Sequence, residues 1–368
     1  QAFVITSLFG LIVAVIGCAI SSSLPEWLGG NADIVENASR YFLIYAMSLP
    51  FLQLNYLSGG MLRCSGNMRV PSLLSMLMCV LDVFFNLLLI FPSREVCFAG
   101  FDFVFPGAGM GVAGAALGTA LAVVVTSSLM TGYLCFRSPE LALHNKAGSF
   151  RPTFHCLKNA AHISVPMGCE RIIMCGAQIM STVIVAPLGT IAIAANAFAI
   201  TAESLCYMPG YGVADASTTL IGQCRGAGSR ELAWRFSRMT VFLGIIVMTF
   251  MGIVMYLAAP FMMSIMTPVE EVRELGTTVL RIEAFAEPMF AASIVAYGVF
   301  VGMGDTIVPS CMNFFSIWGV RLSLAALLAP KLGLQGVWIA MCIELCFRGV
   351  IFLIRLFRKK WLNAIVSA

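Results

Sequence analysis

Ten ionisable side chains are embedded in long apolar runs of this chain: Asp82, Glu170, Arg171, Glu203, Asp215, Glu283, Glu287, Arg321, Glu344 and Arg348. A charge placed in hydrocarbon costs about 2.5 kcal/mol or more unless it meets water or a partner, so such residues mark ion or substrate pathways. Four carboxylates are candidates for binding a coupling cation or a substrate: Glu170, Glu203, Glu283 and Glu287. Glu170 lies four residues after Pro166, about one helical turn, and its neighbour Arg171 points about 100° away. Glu203 precedes Pro209 and Gly210, which loosen a helix and free a carbonyl for water or a cation. Glu283 and Glu287 are four apart and share a helix face. Two carboxyl groups so close can share a proton, the property a proton carrier needs. Pro288 predicts a bend beside them. The competing readings are a structural ion pair for Glu170 and, for Glu283, a pairing with Arg281 or Arg321 near the outer rim.

The remaining embedded polar groups read more simply. Asp82 and Asn86 share a face and, with Asn196, are candidates for a polar cavity; side chains of this type also serve as glue between helices. Arg321, Glu344 and Arg348 read as an internal charge network, with the last two at i,i+4. Thirteen cysteines are scattered without a C-x-x-C pair, and His144, His155 and His162 fall in and beside one polar loop. Neither a metal site nor a disulfide framework is expected. No nucleophile–base or metal constellation is visible, which argues against an enzyme, and no cofactor is expected. The loop Gly222–Gly228 has the glycines of a phosphate cradle, but that function requires a preceding strand within a βαβ unit.

What positions these residues is a membrane bundle. The hydrophobic fraction is 60% and charged residues only 11%, against roughly 45–50% and 25% in soluble domains. Apolar runs long enough to cross about 30 Å of hydrocarbon recur ten times, at approximately 2–22, 39–61, 70–92, 111–136, 161–187, 191–219, 239–263, 277–302, 307–329 and 334–357. Basic residues collect on alternate loops: Arg63 and Arg69; Arg137 to Lys158; Arg225 to Arg238; Arg355 to Lys360. That side is cytoplasmic by the positive-inside rule, with both ends of the chain inside. The net charge of +4 is a topology signal, so no nucleic-acid partner is expected.

The segment Pro50–Pro71 returns in step as Pro288–Pro309. At one offset, 238 positions, Ile44, Ala46, Gly60, Gly66, Val70 and Pro92 meet Ile282, Ala284, Gly298, Gly304, Val308 and Pro330. After the 92–109 loop the offset falls to 222, matching Gly111 to Gly333 and Gly114 to Gly336. The loop's Phe98, Phe101, Phe103 and Phe105 suit a piece lying at the outer interface, or a simple insertion. An even number of spans between the copies makes the repeat parallel. The expected fold class is therefore an all-α integral membrane protein of two repeated bundles: a lobe over 1–136, a cytoplasmic linker over 137–160, and a lobe over 161–368. Six helices in the second lobe against four in the first imply two further helices, roughly 75 residues, ahead of Gln1.

Several passages together resemble the multidrug and toxic compound extrusion (MATE) family. They are Leu220–Gln223 through Gly226–Gly228, Pro166–Glu170, Leu188–Thr190 with Ala194–Asn196, Leu81–Asp82 with Asn86, Gly302-x-Gly304–Thr306 with Pro309, and Trp318, Arg321 and Gly336–Trp338. The resemblance runs along essentially the whole chain. It implies twelve helices in two bundles, of which ten are present here, and a secondary antiporter that exports organic, often cationic, compounds in exchange for protons or sodium ions. It also implies a monomeric multi-pass protein of the bacterial inner membrane, whose partners are a small organic substrate and lipid. The alternative is a flippase for a lipid-linked saccharide, of related two-lobed plan. Its pyrophosphate would call for a basic cavity, whereas the embedded charge here leans acidic. A channel fits duplicated lobes with broken helices less well.

Overall fold

The computed structural model describes residues 1–27, 32–98, 101–138, 141–142 and 153–364. The chain divides into two compact units, Gln1–Leu157 and Lys158–Ala368, the division falling inside the segment expected to link two lobes. Pro139, His144, Asn145, Lys146, Gly148 and Pro152 of that segment lie outside the described residues.

The first unit contains α1 (Ala2–Ile20), a turn of helix α2 (Leu24–Trp27), α3 (Ala32–Cys64), α4 (Arg69–Ile90) and α5 (Gly111–Phe136). Between α4 and α5 stands an antiparallel hairpin, β1 (Pro92–Phe98) and β2 (Phe101–Ala108), with Val96 opposite Phe103 and Glu95 opposite Val104. Among the described residues this hairpin is the one stretch of paired strand in a chain that is otherwise helical, as expected. Helices here approach closely because lipid offers no hydrophobic drive to bring them together, and small residues permit dispersion contact instead. At Gly17, for example, an added Cβ would lie 3.0 Å from that of Ala46, which fixes α1 against α3.

The second unit contains α6 (Phe154–Val185, whose first turn belongs to the first unit), α7 (Thr190–Gly226), α8 (Arg230–Met266), α9 (Glu270–Ala284), α10 (Glu287–Gly302), α11 (Ile307–Phe314) and α12 (Leu322–Phe357). A π-helical turn, Phe315–Arg321, joins α11 to α12. Its core is built from Met248, Val299, Phe300, Trp338 and Phe352, all essentially inaccessible. Gly298 lets α10 press against α7, where a Cβ would fall 2.6 Å from the Ala214 carbonyl oxygen. Thr218 Oγ1 then donates across the contact to the Gly298 carbonyl at 2.9 Å.

Among the described residues seven helices are long and apolar enough to cross a membrane, or eight if α9 and α10, bent by 58°, count as one span. Counting α3, and dividing the 51-residue run Ile307–Phe357 at the non-helical Gly333, accounts for the ten spans read from sequence. The bend precedes Pro288, as expected. The repeat is visible atom by atom. The amide of Asn67 donates to Leu62 O and that of Gly66 to Arg63 O; 238 positions later Asp305 donates to Phe300 O and Gly304 to Val301 O. Both turns are Schellman caps, and both require a left-handed residue, Gly66 at φ 88° and Gly304 at φ 76°. Gly111 and Gly333, matched after the hairpin, likewise share φ values of 56° and 60°.

Candidate functional site

Glu170 stands on α6 one turn past Pro166 and accepts three hydrogen bonds from other helices. Tyr297 Oη of α10 and Ser310 Oγ of α11 each lie 2.6 Å from Oε2, and Asn313 Nδ2 of α11 lies 2.6 Å from Oε1. Ser310 Oγ is also 2.7 Å from the Thr306 carbonyl, and its single proton serves one acceptor at a time. All three donors are neutral, so they hold the carboxylate in place without cancelling its charge.

Glu170 opens onto a cavity of about 580 Å³ in the second unit. Met167, Met174, Tyr211 and Phe290 supply apolar and aromatic wall; Asp215 adds a second acid, while Arg171 and Arg348 add two bases. Arg171, expected to point away from Glu170, thus faces the same space, and among the described residues no ion pair joins the two. A smaller cavity of about 160 Å³ is bordered by Asn196, Glu203, Tyr207, Arg321 and Trp338. Met174, Tyr211, Phe290 and Arg348 border both cavities and form the wall between them.

Arg348 is fixed at that wall. Its Nε lies 3.1 Å from Glu344 Oε1, an ion pair without hydrogen-bond alignment, and its guanidinium carbon sits 5.4 Å from the Phe290 ring centroid. Ser316 Oγ donates to the same Glu344 oxygen at 2.6 Å. The expected three-membered charge network therefore has two charged members. Arg321 instead leaves the π turn towards Met341 Sδ and the smaller cavity. Both residues lie in the π turn, and Ser316 faces Glu344 while Arg321 faces Met341.

Glu203 is 7% exposed and faces the smaller cavity with Arg321. Asn196 accepts from Trp338 Nε1 at 3.0 Å, which orients its amide on the same wall. Glu283 and Glu287 are buried, and among the described residues none of their four carboxyl oxygens has a hydrogen-bond partner. They do not share one helix face. Glu283 is in the last turn of α9 and Glu287 in the first turn of α10, on either side of the bend. The alternative pairing with Arg281 is also corrected, since Arg281 lies on the ring of Tyr256, 5.2 Å from its centroid. Gly252 of α8 makes room for Glu287: a Cβ there would lie 3.1 Å from that of Glu287.

Asp82 and Asn86 share a face of α4 in the first unit, and each has a buried Oδ1 without a hydrogen-bond partner. Asn86 packs on Gly118 of α5. Asn196 belongs to the second unit, where it borders the smaller cavity.

Sequence reasoning missed Tyr297, Ser310, Asn313 and Ser316. A signal was present: Ser310, Asn313 and Ser316 recur every third residue through an otherwise apolar run, a polar stripe along one face.

The MatE family model matches residues 1–88 and 166–327 of this chain. A Thermotoga maritima protein named "Probable multidrug resistance protein NorM" is 27% identical over 333 residues, covering 90% of this chain and 69% of its own length. A Brucella suis protein of the same name is 26% identical over 340 residues, covering 89% and 69%. Among solved structures, a MATE protein crystallised with MaL6 superposes with a TM-score of 0.87 at 20% identity, over 98% of this chain and 78% of that one. A MOP superfamily transporter from Pyrococcus furiosus, described as having a binding pocket of reverse polarity that suggests a different function, superposes at 0.86 with 18% identity, over 98% and 78%. These structures show a shared fold; the polarity of the cavities has to be read from this chain's own side chains.

Proposed function

This chain belongs to the MatE family, and on that premise we propose that it works as a secondary antiporter, exporting small organic compounds, many of them cationic, in exchange for protons or sodium ions. The observation that carries this reading is Glu170: one carboxylate held by three neutral donors on the wall of a 580 Å³ cavity lined by methionine and aromatic side chains. A carboxylate whose hydrogen bonds come from neutral donors keeps its capacity to bind a cation, and flexible methionine with flat aromatic surface accommodates varied cargo. Glu203, Glu283 and Glu287 form the second element. Glu283 and Glu287 are buried without donors among the described residues, and Glu203 is buried beside Arg321; such carboxylates are costly unless each carries a proton or meets a cation, which is the condition for coupling to an ion gradient.

Arg225 at the end of α7 reaches the Met303 carbonyl, Arg355 near the end of α12 reaches Asp305 in the same turn, and Lys359 lies over Trp234 at the start of α8, gathering positive residues at one end of the second unit. By the positive-inside rule that end lies in the cytoplasm, in a bacterial inner membrane. Both cavities are built from one unit of one chain, so a monomer suffices. A lipid-linked saccharide as cargo is disfavoured, because the two arginines of the larger cavity are balanced by Glu170 and Asp215.

The test is efflux of a fluorescent organic cation from proteoliposomes, with an imposed pH gradient compared against an imposed sodium gradient. One gradient is expected to drive efflux, and Glu170→Gln to abolish the drive. Efflux indifferent to both gradients, or ion flux with no organic counter-substrate, overturns the proposal.

A further inference from the structure

At the basic end of the second unit lies a cavity of about 570 Å³ that plays no part in the proposed exchange. Three cations border it, Arg355, Arg358 and Lys360, with Ile351, Ile354 and Trp361 as its apolar wall. Asp305, the acid on this wall, is already paired with Arg355, whose guanidinium carbon also lies 5.0 Å from the Phe300 ring centroid. Arg358 and Lys360 are exposed, so the cavity presents cationic groups beyond the one its carboxylate answers.

The apolar side has a direction. Phe347, Val350 and Ile354 are 44%, 45% and 49% exposed on successive turns of α12, and the next turn of the same face carries Arg358. From Phe347 to Arg358 the helix rises about 16 Å, roughly half of a 30 Å hydrocarbon core and thus one leaflet. An exposed greasy stripe one leaflet long that ends at a cationic cavity has the outline of a phospholipid: a tail along the helix and a phosphate at its end.

We propose that this cavity binds the headgroup of an anionic phospholipid, with one acyl chain lying along Phe347, Val350 and Ile354. Basic pockets between membrane helices suit such headgroups. A zwitterionic lipid brings its own cation into contact with Arg358 and Lys360, and a soluble phosphodiester makes no use of the stripe.

The test uses the purified full chain in detergent and counts retained molecules by native mass spectrometry. The probes are dioleoyl phosphatidylglycerol, dioleoyl phosphatidylcholine, and the water-soluble headgroup glycerophosphoglycerol. Phosphatidylglycerol is expected to be retained at least about fivefold better than phosphatidylcholine. The double variant Arg358→Ala/Lys360→Ala should erase that preference. The variant Arg235→Ala/Arg238→Ala, which removes equal charge from α8 outside this cavity, should keep it. A third variant, Phe347→Ser/Val350→Ser, keeps every charge and should lower retention of both lipids. Equal retention of the two lipids overturns the site. Equal loss in both arginine-containing double variants overturns it in favour of a diffuse basic field. Competition by glycerophosphoglycerol at the concentration of the lipid overturns it in favour of a free phosphodiester site.

Discussion

The three hydrogen bonds on Glu170 make unequal predictions. Asn313 is the partner recorded for Oε1, whereas Oε2 has both Tyr297 and Ser310. A hydrogen bond to an ionised group is worth about 1.5–3 kcal/mol, and a stranded acceptor adds its own desolvation cost. Asn313→Ala leaves Oε1 without its donor, so the ionised form loses the full range and a coupling cation should bind Glu170 more tightly, by roughly 10- to 150-fold. Tyr297→Phe removes one of two donors from Oε2 and keeps the ring, so the low end applies, about tenfold. Ser310→Ala does least, since its proton has the Thr306 carbonyl as a second acceptor only 2.7 Å away. The combination Tyr297→Phe/Ser310→Ala strips Oε2 and should do more than the sum of the single changes, because the residues share one acceptor. The assay is the coupling-ion concentration for half-maximal efflux in proteoliposomes, with the melting temperature of each variant measured to exclude misfolding. A Ser310→Ala effect equal to that of Asn313→Ala, or strict additivity of the Oε2 pair, would refute the reasoning that these donors orient the carboxylate.

Two other consequences are open to measurement. Glu287→Gln should cut gradient-driven transport by more than about tenfold while leaving the melting temperature unchanged or higher, because a buried group that must be neutralised is replaced by one that is neutral already; gradient dependence equal to the parent's would remove Glu287 from the coupling path. Gly298→Ala should destabilise by about 1–3 kcal/mol through overpacking, since its Cβ would lie 2.6 Å from backbone at Ala214; an unchanged melting temperature would show that α7 and α10 can separate freely.

Much of this architecture was legible because a bilayer leaves few choices. Length and apolarity set the spans, and the glycines of the repeat carried over because Gly66 and Gly304 hold left-handed caps that other residues take with strain. Glu170 could be picked out by its distance from Pro166, but its three partners lie 127 to 143 positions away, beyond any local pattern. The π turn was hidden for a related reason: no local spacing in Phe315–Arg321 marks it, and the partner of its Ser316, Glu344, lies 28 positions away. Glu283 and Glu287 show the limit of helical spacing, since a bend between i and i+4 undoes the shared face. The hairpin was within reach. Phe101, Phe103 and Phe105 alternate with the period of a strand, and their aromatic character was weighed ahead of their spacing.

The partition made by Phe290, Tyr211, Met174 and Arg348 has a bearing on how such a pump can change. A mutation that reshapes this shared surface to admit a new compound also reshapes the compartment holding Glu203. Selection for broader cargo at these four positions would therefore carry along altered ion stoichiometry or leak. Changes confined to Met167, which borders the larger cavity alone, would leave the compartment holding Glu203 untouched.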